Sequence, residues 1–402
     1  MGDRSAHLKR IILIAAITFI AYSNSFDSAF HFDDYSSIIA YPYIKSIYNI
    51  PYFFYYNGAP LTGRPVTMAT FAINFEIGGL DPSSYHHVNF FIHLSNAILV
   101  YILLLLTLKN RVTEYMNISF FASIMFAVHP VQTQAVTYVV QRAEILSAFF
   151  YLLSLVVFVK ARLLSYEENP PLPGGMGGLK RYMLYAVSLV SAILAMGSKE
   201  IAVTLPVTIL LYDFFFISGG NFKALSKKWT IHLLFFLTLL PLMYFMGVSQ
   251  ISSFISTDTV QSPPTSTTYM ETSSISRSEY LFTQCRVIWT YIRLLIFPVN
   301  QNLDYNYTVS KGLLEPLTTL LGGVGIIALL TLALFLFKRQ RFMSFFIVWF
   351  FLILAPTSSV AILPDVIFEH RVYLPSVGYF VLFTAGVFRV SDVIYRRKGK
   401  QL

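Results

Sequence analysis

Apolar residues run in bands along nearly the whole chain, each about as long as a helix needs to cross the roughly 30 Å hydrocarbon core of a bilayer. The bands fall near 11–26, 88–108, 117–130, 143–160, 181–198, 200–217, 229–247, 317–337, 342–358 and 373–391. This pattern predicts an all-α, polytopic transmembrane helical bundle of about ten spans. After the first band the chain continues SNSFDSAFHFDDY, with no small-residue cleavage site, so the band reads as a span and not as a removable signal.

The polar residues between the bands orient the bundle. With the N-terminus inside, the inner loops take Arg4, Lys9 and Arg10; Lys109 and Arg111; Lys160, Arg162, Lys180 and Arg181; Lys223, Lys227 and Lys228; Lys338, Arg339 and Arg341; and Arg389, Arg396, Arg397, Lys398 and Lys400. Most of the acidic residues, from Asp27 to Glu369, then fall outside, as the positive-inside rule requires, and the C-terminus is also inside. The same parity makes EYLFTQCRVIWTYIRLLIFP (279–298) an amphipathic helix at the outer interface, because a crossing there would place the KRQR run outside.

Composition narrows the classes. Of the 402 residues 55% are hydrophobic and 16% aromatic, and only 12% are charged, against about 25% in soluble domains. This excludes a soluble enzyme, and the aromatic content excludes disorder. The net charge of +9 is mostly a topology signal, so no nucleic-acid partner is expected. The single cysteine, Cys285, has no internal partner, and no Cys/His spacing suggests zinc, so no metal centre is expected from those residues.

The chain reads as one transmembrane domain, 1–402, with two long outer segments. Residues 27–87 suggest short helices on the membrane surface. Residues 248–316 suggest a mobile Ser/Thr/Pro-rich stretch, either a lid or a passive linker, followed by the interfacial helix. The inner stretch EENPPLPGGMGG (167–178) reads as a flexible turn.

Within AFHFDDYSSI, Asp33 and Asp34 lie just beyond the first span. Adjacent carboxylates repel, so the pair suggests general-base catalysis, a divalent-cation site through oxygen ligands, or simply a helix cap. Other polar groups gather at the same outer ends of spans: Arg64, His86, His87, His129, Arg142 with Glu144, Lys199 with Glu200, and Glu369, His370 and Arg371. Charge held near membrane depth marks reaction sites or transport routes, although Lys199 with Glu200 or Arg142 with Glu144 would serve equally as self-neutralised pairs. His93 and Asn89, inside the second span, read as interhelical hydrogen-bonding residues. Carboxylates with scattered Arg, Lys and His suit an anionic lipid headgroup, and glycosyl transfer from a lipid-phosphate sugar is the chemistry this predicts.

The motifs FHFDDYSSI, GRPVTMATFAINFEIGGLDPSSYHHVNFFIHL, AVHPVQTQAVTYVVQRAEILS, GSKEIAVTLP, QCRVIWTYIRLLIFPVNQNLDYNY and EHRVYLPSVG occur in that order across residues 25–380. In these the chain resembles the GT-C class of membrane glycosyltransferases, within it the transmembrane O-mannosyltransferases that carry tetratricopeptide repeats, and their bacterial relatives. The 34-residue repeats of the fuller members do not follow the last span here.

The resemblance implies a helical bundle with juxtamembrane helices in the first and fourth outer loops, and a catalytic aspartate falling on Asp33 with Asp34 as its neighbour. It implies a polyprenyl-phosphate sugar donor, in contact with membrane lipid, and an acceptor hydroxyl on an exported protein or a glycan. In the expected mechanism Asp33 deprotonates the acceptor in an inverting displacement. Arg371 with His370 and Lys199, then Arg64 and Arg286, stabilise the departing phosphate. His86, His87, His129, Arg142, Glu144, Glu200 and Glu369 are expected to line the substrate pocket. A divalent cation at Asp33/Asp34 stays open as the one cofactor. A prokaryotic plasma membrane with the site facing outward is the expected location. The competing classes are a lipid-linked sugar flippase or transporter, which should spread polar groups through both leaflets and often shows paired repeats with broken helices, and a non-catalytic polysaccharide-export component, which would tolerate loss of Asp33 and Arg371.

Overall fold

The computed structural model describes residues 2–55, 61, 63–167, 176–256, 259–260, 275–360, 362–363 and 365–398. Helix α1 (Gly2–Tyr22) leads into single-turn helices between residues 35 and 53, then α2 (Pro65–Gly78) and α3 (Pro82–Leu108). The chain continues through α4 (Tyr115–Val128), α5 (Arg142–Glu167), α6 (Met176–Met196), the helical run α7 (Glu200–Ile217) and α8 (Trp229–Gly247). Helices α9 (Arg277–Ile296), α10 (Leu317–Arg339), α11 (Arg341–Ala355) and α12 (Ser376–Lys398) complete it. A two-stranded antiparallel ladder pairs Thr259 with Ser276.

Among the described residues nine helices are long and apolar enough to cross a membrane. The chain is therefore a multi-pass membrane protein with an all-α architecture. The band near 117–130 forms α4, which at 14 residues is shorter than those nine, as long as the band itself. His129 is extended, as a residue before proline tends to be, and Pro130 starts a separate turn. Most of the Ser/Thr/Pro-rich stretch and of residues 167–178 lies outside the described residues.

Local signals explain the helix starts. Asp81 accepts from the Ser83 amide and Pro82 takes the first position of α3. Ser276 and Glu279 form a reciprocal capping box at α9. Helix α9 is amphipathic as expected, but its buried face, with Tyr280, Val287, Tyr291 and Leu294, packs into the bundle. Helix α10 closes on it through Gly322, where an added Cβ would lie 2.5 Å from the Cys285 carbonyl oxygen, and Trp289 Nε1 donates to the Gly322 carbonyl at 2.9 Å.

Two buried polar clusters tie the long helices together. His93 meets the Tyr373 hydroxyl at 2.7 Å and the Ala127 carbonyl at 2.8 Å, and Asn96 donates to the same hydroxyl. At the opposite ends of the helices Arg162 makes a bidentate pair with Asp213 at 2.7 and 3.0 Å, with His232 at 3.3 Å. Arg162 therefore does not belong with the loop cations. It is buried because α7 brings it a carboxylate.

Candidate active site

Phe32, with φ of +43°, turns the chain just before the two aspartates. Asp34 is fully buried, accepting from the His31 amide at 2.9 Å and the Val140 amide at 2.7 Å. It clamps the first outer loop onto the start of the span that contains α5. Asp33 faces solvent, and its own amide donates to the Tyr138 hydroxyl at 3.0 Å. The expectation of two catalytic carboxylates side by side is corrected: consecutive residues of a tight turn point to different sides, and both Asp34 oxygens hold main chain.

Burial, opposed by those two amide hydrogen bonds, raises the Asp34 carboxyl from 3.8 to about 6. A folded-state value above the unfolded one favours the fold at low pH, and that contribution is lost as pH rises through about 6. Wild type should therefore lose thermal stability relative to Asp34→Asn, which does not ionise, between about pH 4 and about pH 7. Parallel unfolding curves in detergent test this; a constant difference across that range would contradict it.

The charged pairs are exchanged relative to the sequence expectation. Lys199 pairs with Glu144 at 2.7 Å and also donates to Gln141, while Arg64 grips Glu200 bidentately at 2.7 and 3.1 Å. Residues one or two apart on helical turns do not face each other, so neither Lys199–Glu200 nor Arg142–Glu144 forms. Arg142 is enclosed instead by the Asn89 and Asn74 side-chain oxygens, both at 2.7 Å, the Tyr85 carbonyl at 3.1 Å and the Phe71 ring at 4.6 Å. It is a structural hub, not a pocket residue.

The EHR turn is held from two directions. Glu369 accepts from Gln301 at 2.6 Å, from the Asn302 amide at 2.8 Å and from the Tyr305 hydroxyl. The His370 amide donates to Gln134 at 2.7 Å, and Gln134 in turn donates to the Leu303 carbonyl at 3.0 Å. Arg371 donates to the Asp365 carbonyl at 2.8 Å and lies over the Phe368 ring. It has no carboxylate salt bridge among the described residues.

Electrostatics connect these pieces. Burial first, then the charges of Lys199, Arg371 and Arg64, push the His370 imidazole well below its ordinary range. This shift favours the neutral ring, against the expectation of a phosphate-binding cation at His370. Asp365 is raised by burial and by the nearby Asp304 and Asp33 carboxylates, against the pull of Arg371. Asp33 and Arg371 thus both act on Asp365, and Lys199, Arg371 and Arg64 on His370. Beside Tyr138 a cavity of about 240 Å³ opens between His31, Gln134, Asn302 and Glu369.

Other expected residues go elsewhere. Arg286 donates to the Thr308 carbonyl at 3.0 Å and lines a separate cavity of about 440 Å³ with Arg293. His86 binds the Ser28 carbonyl at 3.0 Å, and His87 stacks on Phe26. The His129 ring accepts from the Val131 amide and packs on Phe380. Among the described residues no group of three or more His, Cys, Asp or Glu is placed to hold a metal ion. Tyr138, Gln134, Asn302, Tyr305 and Asp365 were missed by the sequence reading. The QTQ and NQNLDYNY runs held that signal, as clusters of hydrogen-bonding residues at the outer ends of apolar bands.

A multi-spanning helical bundle with an exposed aspartate and a buried arginine that both act on Asp365 is the class these features define. The chain is similar to human protein O-mannosyl-transferase TMTC3, 32% identical over 169 residues, which is 39% of this chain and 17% of that protein. It is 33% identical over 168 residues to a Caenorhabditis elegans protein O-mannosyl-transferase, covering 40% of this chain and 24% of the relative. Against human protein O-mannosyl-transferase TMTC1 it is 25% identical over 242 residues, 56% of this chain and 26% of the relative. The matched stretch is thus about a quarter or less of each of these two human proteins and of the nematode protein. No family model matches.

Proposed function

We propose that this chain is a glycosyltransferase that moves a sugar from a polyprenyl-phosphate donor to a hydroxyl on an exported protein. Its main support is the exposed Asp33 carboxylate, which acts on Asp365 together with Arg371, whose guanidinium has no carboxylate salt bridge among the described residues. The names of the similar proteins make mannose the first sugar to test and protein the first acceptor.

In this reading Asp33 takes the acceptor proton while the acceptor oxygen bonds to the anomeric carbon from the face opposite the leaving group. The bond from that carbon to the phosphate oxygen breaks, and the phosphate leaves with the electron pair. A phosphate anion needs no general acid, so the chain supplies position, one base and positive charge. Arg371 is the charge assigned to the leaving phosphate. The Lys199–Glu144 and Arg64–Glu200 pairs are already neutralised and hold the frame behind it. The cavity beside Tyr138 suits the approach of a hydroxyl-bearing segment. No cation is assigned to Asp33 and Asp34, whose side chains diverge, so transfer should persist in chelator. The active face is the one away from the basic loops, outside a plasma membrane.

The test supplies purified protein with a panel of radiolabelled polyprenyl-phosphate sugars and an acceptor peptide. Wild type should consume one sugar, and Arg371→Gln should slow transfer about a hundredfold or more. Equal transfer by the two proteins would remove Arg371 from the reaction, and consumption of no donor would sink the enzymatic reading.

A further inference from the structure

The helix ends farthest from Asp33 enclose a cavity of about 1070 Å³, unrelated to the proposed transfer site. Helix α3 starts at Pro82, beside the first outer loop, and its other end, Leu108, leads into this cavity's wall. The turn between α10 and α11, the end of α7 and the second half of α12 supply the rest. The volume lies just above the usual range of small-molecule sites, about 300–1,000 Å³, and is far larger than a phosphate ion needs.

Four arginines line it: Arg111, Arg339, Arg341 and Arg389. None is in a salt bridge among the described residues. Arg111 is fixed by the Thr107 and Phe216 carbonyls at 2.6 and 2.8 Å, which orient the group without neutralising it. Arg339 and Arg341 lie over the Phe335 and Phe337 rings. Glu114 and Asp392 also line the cavity, which leaves its charge positive. Glu114 is engaged with Asn117 at 2.7 Å.

The positive-inside rule explains basic residues on this face but not their gathering around a cavity, nor the choice of arginine. Lys109 and Lys338 adjoin the lining residues in sequence, yet no lysine lines the cavity. Arginine's planar fork matches a phosphate bidentately, whereas lysine acts as a point charge. The floor is apolar, with Phe215, Phe216, Phe342 and Phe388. The outer surfaces of α10 and α12 beside it, including Leu334, Phe335, Val390 and Ile394, are exposed and apolar. Hydrocarbon chains have a way out of the cavity into the bilayer.

We propose that this cavity binds the headgroup of an anionic phospholipid from the leaflet on the basic side, its phosphate held among Arg339, Arg341 and Arg389 and its chains leaving along α10 and α12. Basic cavities between helix ends at this membrane face are suited to such headgroups.

The test is native mass spectrometry of the purified full chain in detergent, titrated with phosphatidylglycerol or phosphatidylcholine. Phosphatidylglycerol should be retained about tenfold or more over phosphatidylcholine. Arg341→Gln/Arg389→Gln should abolish that preference, while Lys227→Gln/Lys228→Gln, which removes as much charge outside the cavity, should keep it. Gly386→Trp is the second variant: nothing lies within 4 Å of a Cβ built there, so the ring enters the open cavity with the charge unchanged. It should also lose the lipid while unfolding at the wild-type temperature, and it decides the matter if the arginine variant does not fold. Retention unchanged in Gly386→Trp, or an equal loss in the lysine variant, would overturn the site in favour of general surface charge. Displacement by soluble glycerol phosphate at the same concentration as the lipid would overturn the lipid as occupant.

Discussion

Asp33→Asn should reduce sugar transfer about a hundred- to ten-thousandfold, the usual contribution of a positioned general base. It should change thermal unfolding little, because the side chain is exposed, asparagine keeps an acceptor for the Tyr138 hydroxyl, and the Asp33 amide still donates to Tyr138. Asparagine keeps the size and still accepts hydrogen bonds but takes up no proton, so the loss should fall on kcat, with donor binding preserved. Asp33→Glu restores the base about one methylene farther out, and a partial return of rate is expected. The check is a single-turnover assay with the preferred donor, run beside unfolding curves. Comparable rates for wild type and Asn would overturn the base assignment. The neighbouring Asp34 separates the two effects, since its substitution acts first on stability.

Arg142 should produce the largest loss of stability. Its guanidinium is fully buried with no salt bridge among the described residues, and from α5 it holds two side-chain oxygens, two carbonyls and an aromatic face of α2 and α3. The Asp34 carboxylate also acts on it electrostatically, so the first outer loop and the helix core are coupled there. Arg142→Met fills much of the volume but strands the Asn74 and Asn89 oxygens in a dry site, at about 3 kcal/mol or more. Arg142→Lys keeps the charge but reaches fewer acceptors, and an intermediate loss is expected. Unfolding curves and folded yield in detergent measure this; wild-type stability in the Met variant would show that the cage relaxes around the gap.

Much of the architecture was legible because burial in lipid imposes a one-dimensional rule. A band of about 20 apolar residues bounded by arginine and lysine is readable without knowing its neighbours. The 117–130 band was legible too, as a short helix of 14 residues that the His129–Pro130 step ends. Arg162 misled. Its place at the basic end of a span suggested a loop cation, and only the approach of Asp213 from another helix buries it.

For the site, the chain order displayed the residue types but not the pairings. Asp33 and Asp34 are equivalent as letters; as consecutive residues of one turn they point to different sides, one to solvent and the other onto the amides of His31 and Val140. Lys199 and Glu200 are adjacent, yet each finds its partner on a distant segment, Glu144 and Arg64. The sequence by itself determined the helical membrane class, the side on which acidic groups gather, and the chemistry those groups suit. Those depend on solvation, which is a property of each segment taken alone. Tertiary structure decided which carboxylate is free, which cations are neutralised and where four arginines line a cavity, because ionic interactions are set by distances between segments far apart in the chain.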